Sequence, residues 1–174
     1  MWPFKRKSKS SESSSAFLES LKVPGDEMAQ LFQRAAQEIE GENAIEQIAE
    51  VAGEFVAISS TIAGDLIGQD DNAMGCLGFA SGVVDAMCYK VGLDVGDTRK
   101  VLKRYLSHVH KGDIQRVEDT LAAIAQIATD KTWAHSIGIG GNAALQLVQN
   151  DSGYRPVAFF ALSKMLSGEK LSGA

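Results

Sequence analysis

The stretch from Glu42 to Gly68, ENAIEQIAEVAGEFVAISSTIAGDLIG, limits what this chain can fold into more than any other. Successive residues of an α-helix turn by about 100°. At that spacing Ile45, Ile48, Ala52, Phe55, Val56, Ile62 and Leu66 fall in one broad apolar arc. A helix with such an arc needs neighbours to bury it. The opposite side carries Glu42, Glu46, Glu50 and Glu54 at successive i,i+4 positions, with no lysine or arginine between them. On an exposed helix each neighbouring pair costs roughly 0.2–0.5 kcal/mol. The helix dipole offsets this at Glu42 and in part at Glu46, then fades. After Phe55 the outward side changes to Ala57, Ser60, Thr61 and Gly64. Side chains this small let a second helix come close, so this half is expected to be covered on both sides. The other half is expected to show an acidic ridge.

The flanking segments repeat the helical pattern. Ala16–Val23 reads as a short helix that Pro24-Gly25 breaks. Asp26 then caps a second helix with Met28, Leu31, Phe32, Ala35 and Ile39 on its apolar side, ending at Gly41. Residues 72–91 are the most apolar stretch, with Gly75, Gly78, Ala80, Ser81 and Gly82 set among Met74, Leu77, Val84, Met87, Cys88 and Tyr89. Each glycine costs up to about 1 kcal/mol of helix propensity relative to alanine, so tight contact with a neighbouring helix is the expected compensation. The uncharged part, between Asp71 and Asp85, is shorter than the roughly 20 residues a membrane span needs.

Gly92 closes this helix, and Asp94 or Asp97 opens the next. Val101, Leu102, Tyr105, Leu106 and Val109 form its apolar side, and Arg99, Lys100, Lys103, Arg104 and Lys111 make it basic. Lys111-Gly112-Asp113 supplies a stop and a cap before Ile114, Val117, Leu121, Ile124 and Ala128 mark another amphipathic helix, which Thr129-Asp130 interrupts before Trp133. The run from Ile137 to Asn142, IGIGGN, reads as a loop followed by a short helix through Val148. Asn150 to Arg155 reads as a second loop, and Pro156 as the first turn of a final apolar helix through Leu166. The expected fold is all-α: one compact bundle of about six to eight helices over residues 16–168, mostly antiparallel neighbours. A flexible basic, serine-rich tail is expected at 1–15 and a frayed end at 169–174.

The net charge of −5 is unevenly spread, because residues 24–74 carry eleven acidic side chains and one basic one. Such a block disfavours nucleic acid and favours a basic partner, within the fold or outside it. Asp85, amid apolar residues, is expected to pair with the basic helix. Cys76 and Cys88 stand twelve positions apart in one helix. The corresponding rise of about 18 Å excludes a disulfide within it, so buried thiols in a reducing compartment are expected. Lys5, Arg6 and Lys7 are followed by serines instead of an apolar secretory segment, which points to the cytoplasm.

Three sets of residues are candidates for function. Glu38, Glu42, Glu46, Glu50 and Glu54 form the partner-binding ridge. No metal is expected there, since no histidine follows a glutamate by three positions as di-metal carboxylate bundles require. Trp133, His135, Gly138, Gly140 and Asn142 make a possible ligand pocket around the glycine run. Its G-x-G-x-x-A pattern lacks the strand and acidic residue of a dinucleotide site, so no cofactor is expected. Trp2, Phe4, Lys5, Arg6, Lys7 and Lys9 are suited to weak contact with an anionic membrane surface. No set of catalytic residues stands out. The favoured expectation is a non-enzymatic protein-binding module, an acidic inhibitor or immunity-type protein neutralising a basic partner such as a toxin, because complementary charge speeds capture. The alternatives are an adaptor or chaperone for a secreted protein, an all-α enzyme or small-ligand sensor using His135 and the glycine run, and a peripheral membrane protein held by the tail.

Overall fold

A computed structural model describes residues 22–37, 42–148 and 155–168. The chain forms α1 (Lys22–Gln37), α2 (Glu42–Ala63), α3 (Ala73–Val91), α4 (Val95–Val109), α5 (Ile114–Ile127), α6 (Lys131–Val148), α7 (Arg155–Ala158) and α8 (Ala161–Leu166), with 3₁₀ turns at Gly64–Leu66 and Asp70–Asn72. No strand occurs among these residues, and the expected all-α bundle is what forms. The tail at 1–15 and the end at 169–174 lie outside the described residues.

Several helix ends follow from the sequence signals. Gly92 adopts φ 79° and closes α3, while the Leu93 amide returns to the Cys88 carbonyl at 3.0 Å. Asp94 caps α4 by accepting from the Asp97 amide, and Asp113 caps α5 by accepting from the Arg116 amide. Asp130 accepts from the Thr132 and Trp133 amides and starts α6.

Four expectations are corrected. Pro24-Gly25 does not break a helix, because α1 already begins at Lys22. Proline is tolerated there, since amides in the first turn have no intrahelical acceptor. The run from Ile137 to Asn142 is no loop, since α6 continues through it without interruption. Asp85 points to solvent and needs no buried ion pair. The final apolar helix is broken by a turn at Phe159–Phe160, with Phe159 fully buried and its ring 5.1 Å from that of Phe55.

The close crossing of α3 and α6 explains why the glycine run is helical. A Cβ added at Gly82 would lie 2.8 Å from the Ile137 carbonyl carbon and closer still to its oxygen. One added at Gly140 would meet the Phe79 carbonyl in the same way. Each glycine thus lies against the other helix's backbone, the geometry of Cα–H···O contacts between helices. Gly78 sits against Ser136 and Trp133, and Gly141 lies beside Gly82 and Ala86, so contacts advance together along both helices. The pair runs in the same sense, not antiparallel, and α4 and α5 supply the long connection that a parallel pair requires. Around this crossing Phe79, Val83, Met87, Ala143, Ala144 and Leu147 are buried, and Phe55 of α2 stacks on Phe79 with ring centroids 6.3 Å apart. In contrast α5 packs chiefly on α4, with Val117 buried and Ile114 75% exposed.

This packing separates glycines that look alike in the sequence. Gly82→Ala or Gly140→Ala should cost about 3 kcal/mol or more, because a backbone carbonyl cannot move aside without separating the helices. Gly138 has open space at its Cβ position, and Gly138→Ala should stabilise the protein by about 0.5–1 kcal/mol through helix propensity alone. Urea melts of the three variants measure the contrast; equal effects would contradict the crossing.

Candidate functional site

The acidic side of α2 lies beside the basic side of α4, and one of its glutamates, Glu46, is taken up within the fold. The Arg104 guanidinium straddles Glu46: Nη2 donates to Oε1 at 3.0 Å and Nε donates to Oε2. His108 Nε2 stands 3.1 Å from the same Oε1. The hydrogen bond from Arg104 holds the Glu46 carboxyl below its ordinary value, against a smaller opposing effect of burial. The expected pairing of ridge and basic helix therefore occurs at this position.

Glu50 and Glu54, one and two turns further along α2, are exposed. They edge a groove of about 700 Å³ between α2 and α4. Gly53, Ala57 and Ser60 line it from α2, and Tyr105, His108 and Val109 from α4. Residues 50, 53, 54, 57 and 60 recur at helical spacing, so this is the outward face of α2. Sequence reasoning expected the small-residue part of that face to be covered. Instead Ala57, Thr61 and Gly64 are exposed, and the small residues form a floor open to solvent. The close helix pairing is made elsewhere, by the glycines of α3 and α6.

Across the groove Tyr105 is buried, with its ring edge 3.9 Å from where a Cβ at Gly53 would be. Burial pushes its phenol up to about 12, so it stays neutral at any physiological pH. Val109 is 53% exposed and leaves apolar surface at the groove's edge. The site thus joins two exposed carboxylates to a shallow, largely apolar floor. Its geometry suits the apolar side of a segment whose flanking charges are positive. Tyr105, His108 and Val109 were not among the candidate residues. Val109 read only as part of an apolar helix face, and His108 as a surface histidine.

The other candidates are placed differently. Glu38, Trp2, Phe4, Lys5, Arg6, Lys7 and Lys9 lie outside the described residues, and Glu42 begins α2. The expected pocket at the glycine run is not brought together. Trp133 and Gly140, seven apart, are buried against α3, whereas His135, Gly138 and Asn142 are exposed on the other side of α6. A continuous helix puts the two groups on separate faces. Among the described residues no three histidines, cysteines or acids are grouped to hold a metal ion, and no helix is long and apolar enough to cross a membrane. Cys76 and Cys88 are free thiols; burial raises both, Cys88 to about 11. The chain matches no family model, no curated protein sequence and no solved structure.

A carboxyl held low in the folded state stabilises above its unfolded value and loses that contribution as pH falls through the folded one. Glu46→Gln should therefore lower stability at pH 7, by less than about 1 kcal/mol because water and salt screen the pair. The difference from the parent protein should close as the pH falls below the ordinary value of 4.5. Urea melts at pH 7 and pH 3 test this, and a gap of the same size at both would contradict it.

Proposed function

We propose that the protein is a binding module that captures a basic segment of another protein in the groove between α2 and α4. The open groove edged by Glu50 and Glu54 carries this reading. Those carboxylates are exposed and line a common cavity, whereas Glu46 is ion-paired with Arg104 and has His108 Nε2 3.1 Å away. The docking surface is thus narrower than the whole ridge and is centred on the second half of α2. Two nearby exposed carboxylates, Glu50 also within the field of Arg104, steer a positive partner toward the groove and repel acidic ones. The small, apolar floor then accepts the partner's side chains. An inhibitor or immunity-type protein neutralising a basic toxin in the cytoplasm would use the surface in this way, occupying cationic residues that its target needs.

Affinity capture from the source cells, washed at low and at high salt and read by mass spectrometry, tests the reading. A stoichiometric basic protein should be retained at low salt and weakened by high salt. Glu50→Lys/Glu54→Lys should reduce its affinity at least tenfold, while Glu38→Lys/Glu42→Lys should change it less. Retention unaffected by Glu50→Lys/Glu54→Lys would remove the groove from the interaction.

A further inference from the structure

The chain itself contains a segment whose chemistry complements the groove. Residues 1–9, MWPFKRKSK, carry Lys5, Arg6, Lys7 and Lys9 with no acidic side chain, next to Trp2 and Phe4. The groove offers Glu50 and Glu54 at its edge and Ala57, Tyr105 and Val109 within it. On the reading of this groove as a site for basic segments, we infer that residues 1–9 occupy it in cis and compete with the external partner.

Three considerations carry the inference. The charges correspond: the segment has four cations, and the groove has two carboxylates that no ion pair among the described residues engages. The apolar parts correspond as well. A cavity of about 700 Å³ is of the size that accepts large side chains, and aromatic rings bring much contact area at little entropic cost. The reach is also sufficient. Residues 10–21 separate the segment from the start of α1 at Lys22; with 10–15 extended and 16–21 helical, as the sequence pattern expects, they span roughly 30 Å. The helix α1 packs directly on α2, the helix that carries both carboxylates. A tether this short sets an effective concentration in the millimolar range. An intrinsic affinity of only millimolar strength then fills about half of the grooves, and a partner must compete with the segment to enter.

The test uses the full chain and a labelled synthetic peptide, MWPFKRKSK, as the probe. Lys5→Glu/Arg6→Glu/Lys7→Glu/Lys9→Glu should empty the groove, so the variant should bind the probe about twofold more tightly than the parent chain, as release from a half-occupied groove requires. Carbodiimide cross-linking of the parent at low salt should join Lys5, Lys7 or Lys9 to Glu50 or Glu54. That yield should fall severalfold in Trp2→Ser/Phe4→Ser, which keeps every reactive group. Equal probe affinity for parent and variant would overturn occupancy in cis while leaving the groove itself intact. Cross-links found only between copies, in a mixture of light and heavy isotope-labelled protein, would overturn it in favour of a second copy. If the variant binds neither the probe nor a decalysine peptide, both the cis contact and the groove reading fail.

Discussion

The contact between the glycines of α3 and α6 and each other's carbonyl groups is the constraint on which the rest of the structure depends. Gly82 lies on the Ile137 carbonyl and Gly140 on the Phe79 carbonyl, so the two helices touch by backbone and not through side chains. Glycine in a helix costs propensity, and this cost is offset only where the gap it leaves is filled by a neighbour. Here it is filled reciprocally. The axes come close enough for Phe79, Val83, Ala143 and Leu147 to pack around the contact with no exposure to water, and Phe55 and Phe159 extend the same core toward α2 and α7.

That arrangement has a consequence on the far side of α2. Because α3 and α6 satisfy each other, the small residues of α2 after Phe55 are left uncovered, and the face they form opens toward α4. One row of glutamates thus divides into two electrostatic environments. Glu46 is ion-paired with Arg104, lies within hydrogen-bond distance of His108, and ties α2 to α4. Glu50 and Glu54 stand exposed at the edge of the groove. A short distance along one helix separates structural charge from charge available for recognition.

Much of the helical architecture was legible in the sequence, because amphipathic spacing and capping chemistry are local. Asp94, Gly92, Gly112 and Asp113 end or begin helices where their backbone preferences and side chains direct. The close packing of the glycine-rich helix at 73–91 also followed from the physical need to compensate its glycines. What local reasoning could not supply was the identity of the partner. IGIGGN has the composition of a loop, and only the matching glycines of α3, more than fifty residues earlier, make it a buried helical surface. The small face of α2 failed in the opposite direction: its composition permits a covering helix, but permission is not a partner. The acidic ridge was visible as a pattern, whereas its division depended on where Arg104 and His108 came to lie.

Hydrogen exchange of the backbone amides tests most directly the helical crossing from which the open groove follows. If α6 runs unbroken against α3, the amides of Ile139–Ala144 should exchange as slowly as those of Val83–Met87, with both released only by global unfolding. Rapid exchange at 139–144 alongside protection at 83–87 would mean that the glycine run is a loop, and would contradict the crossing.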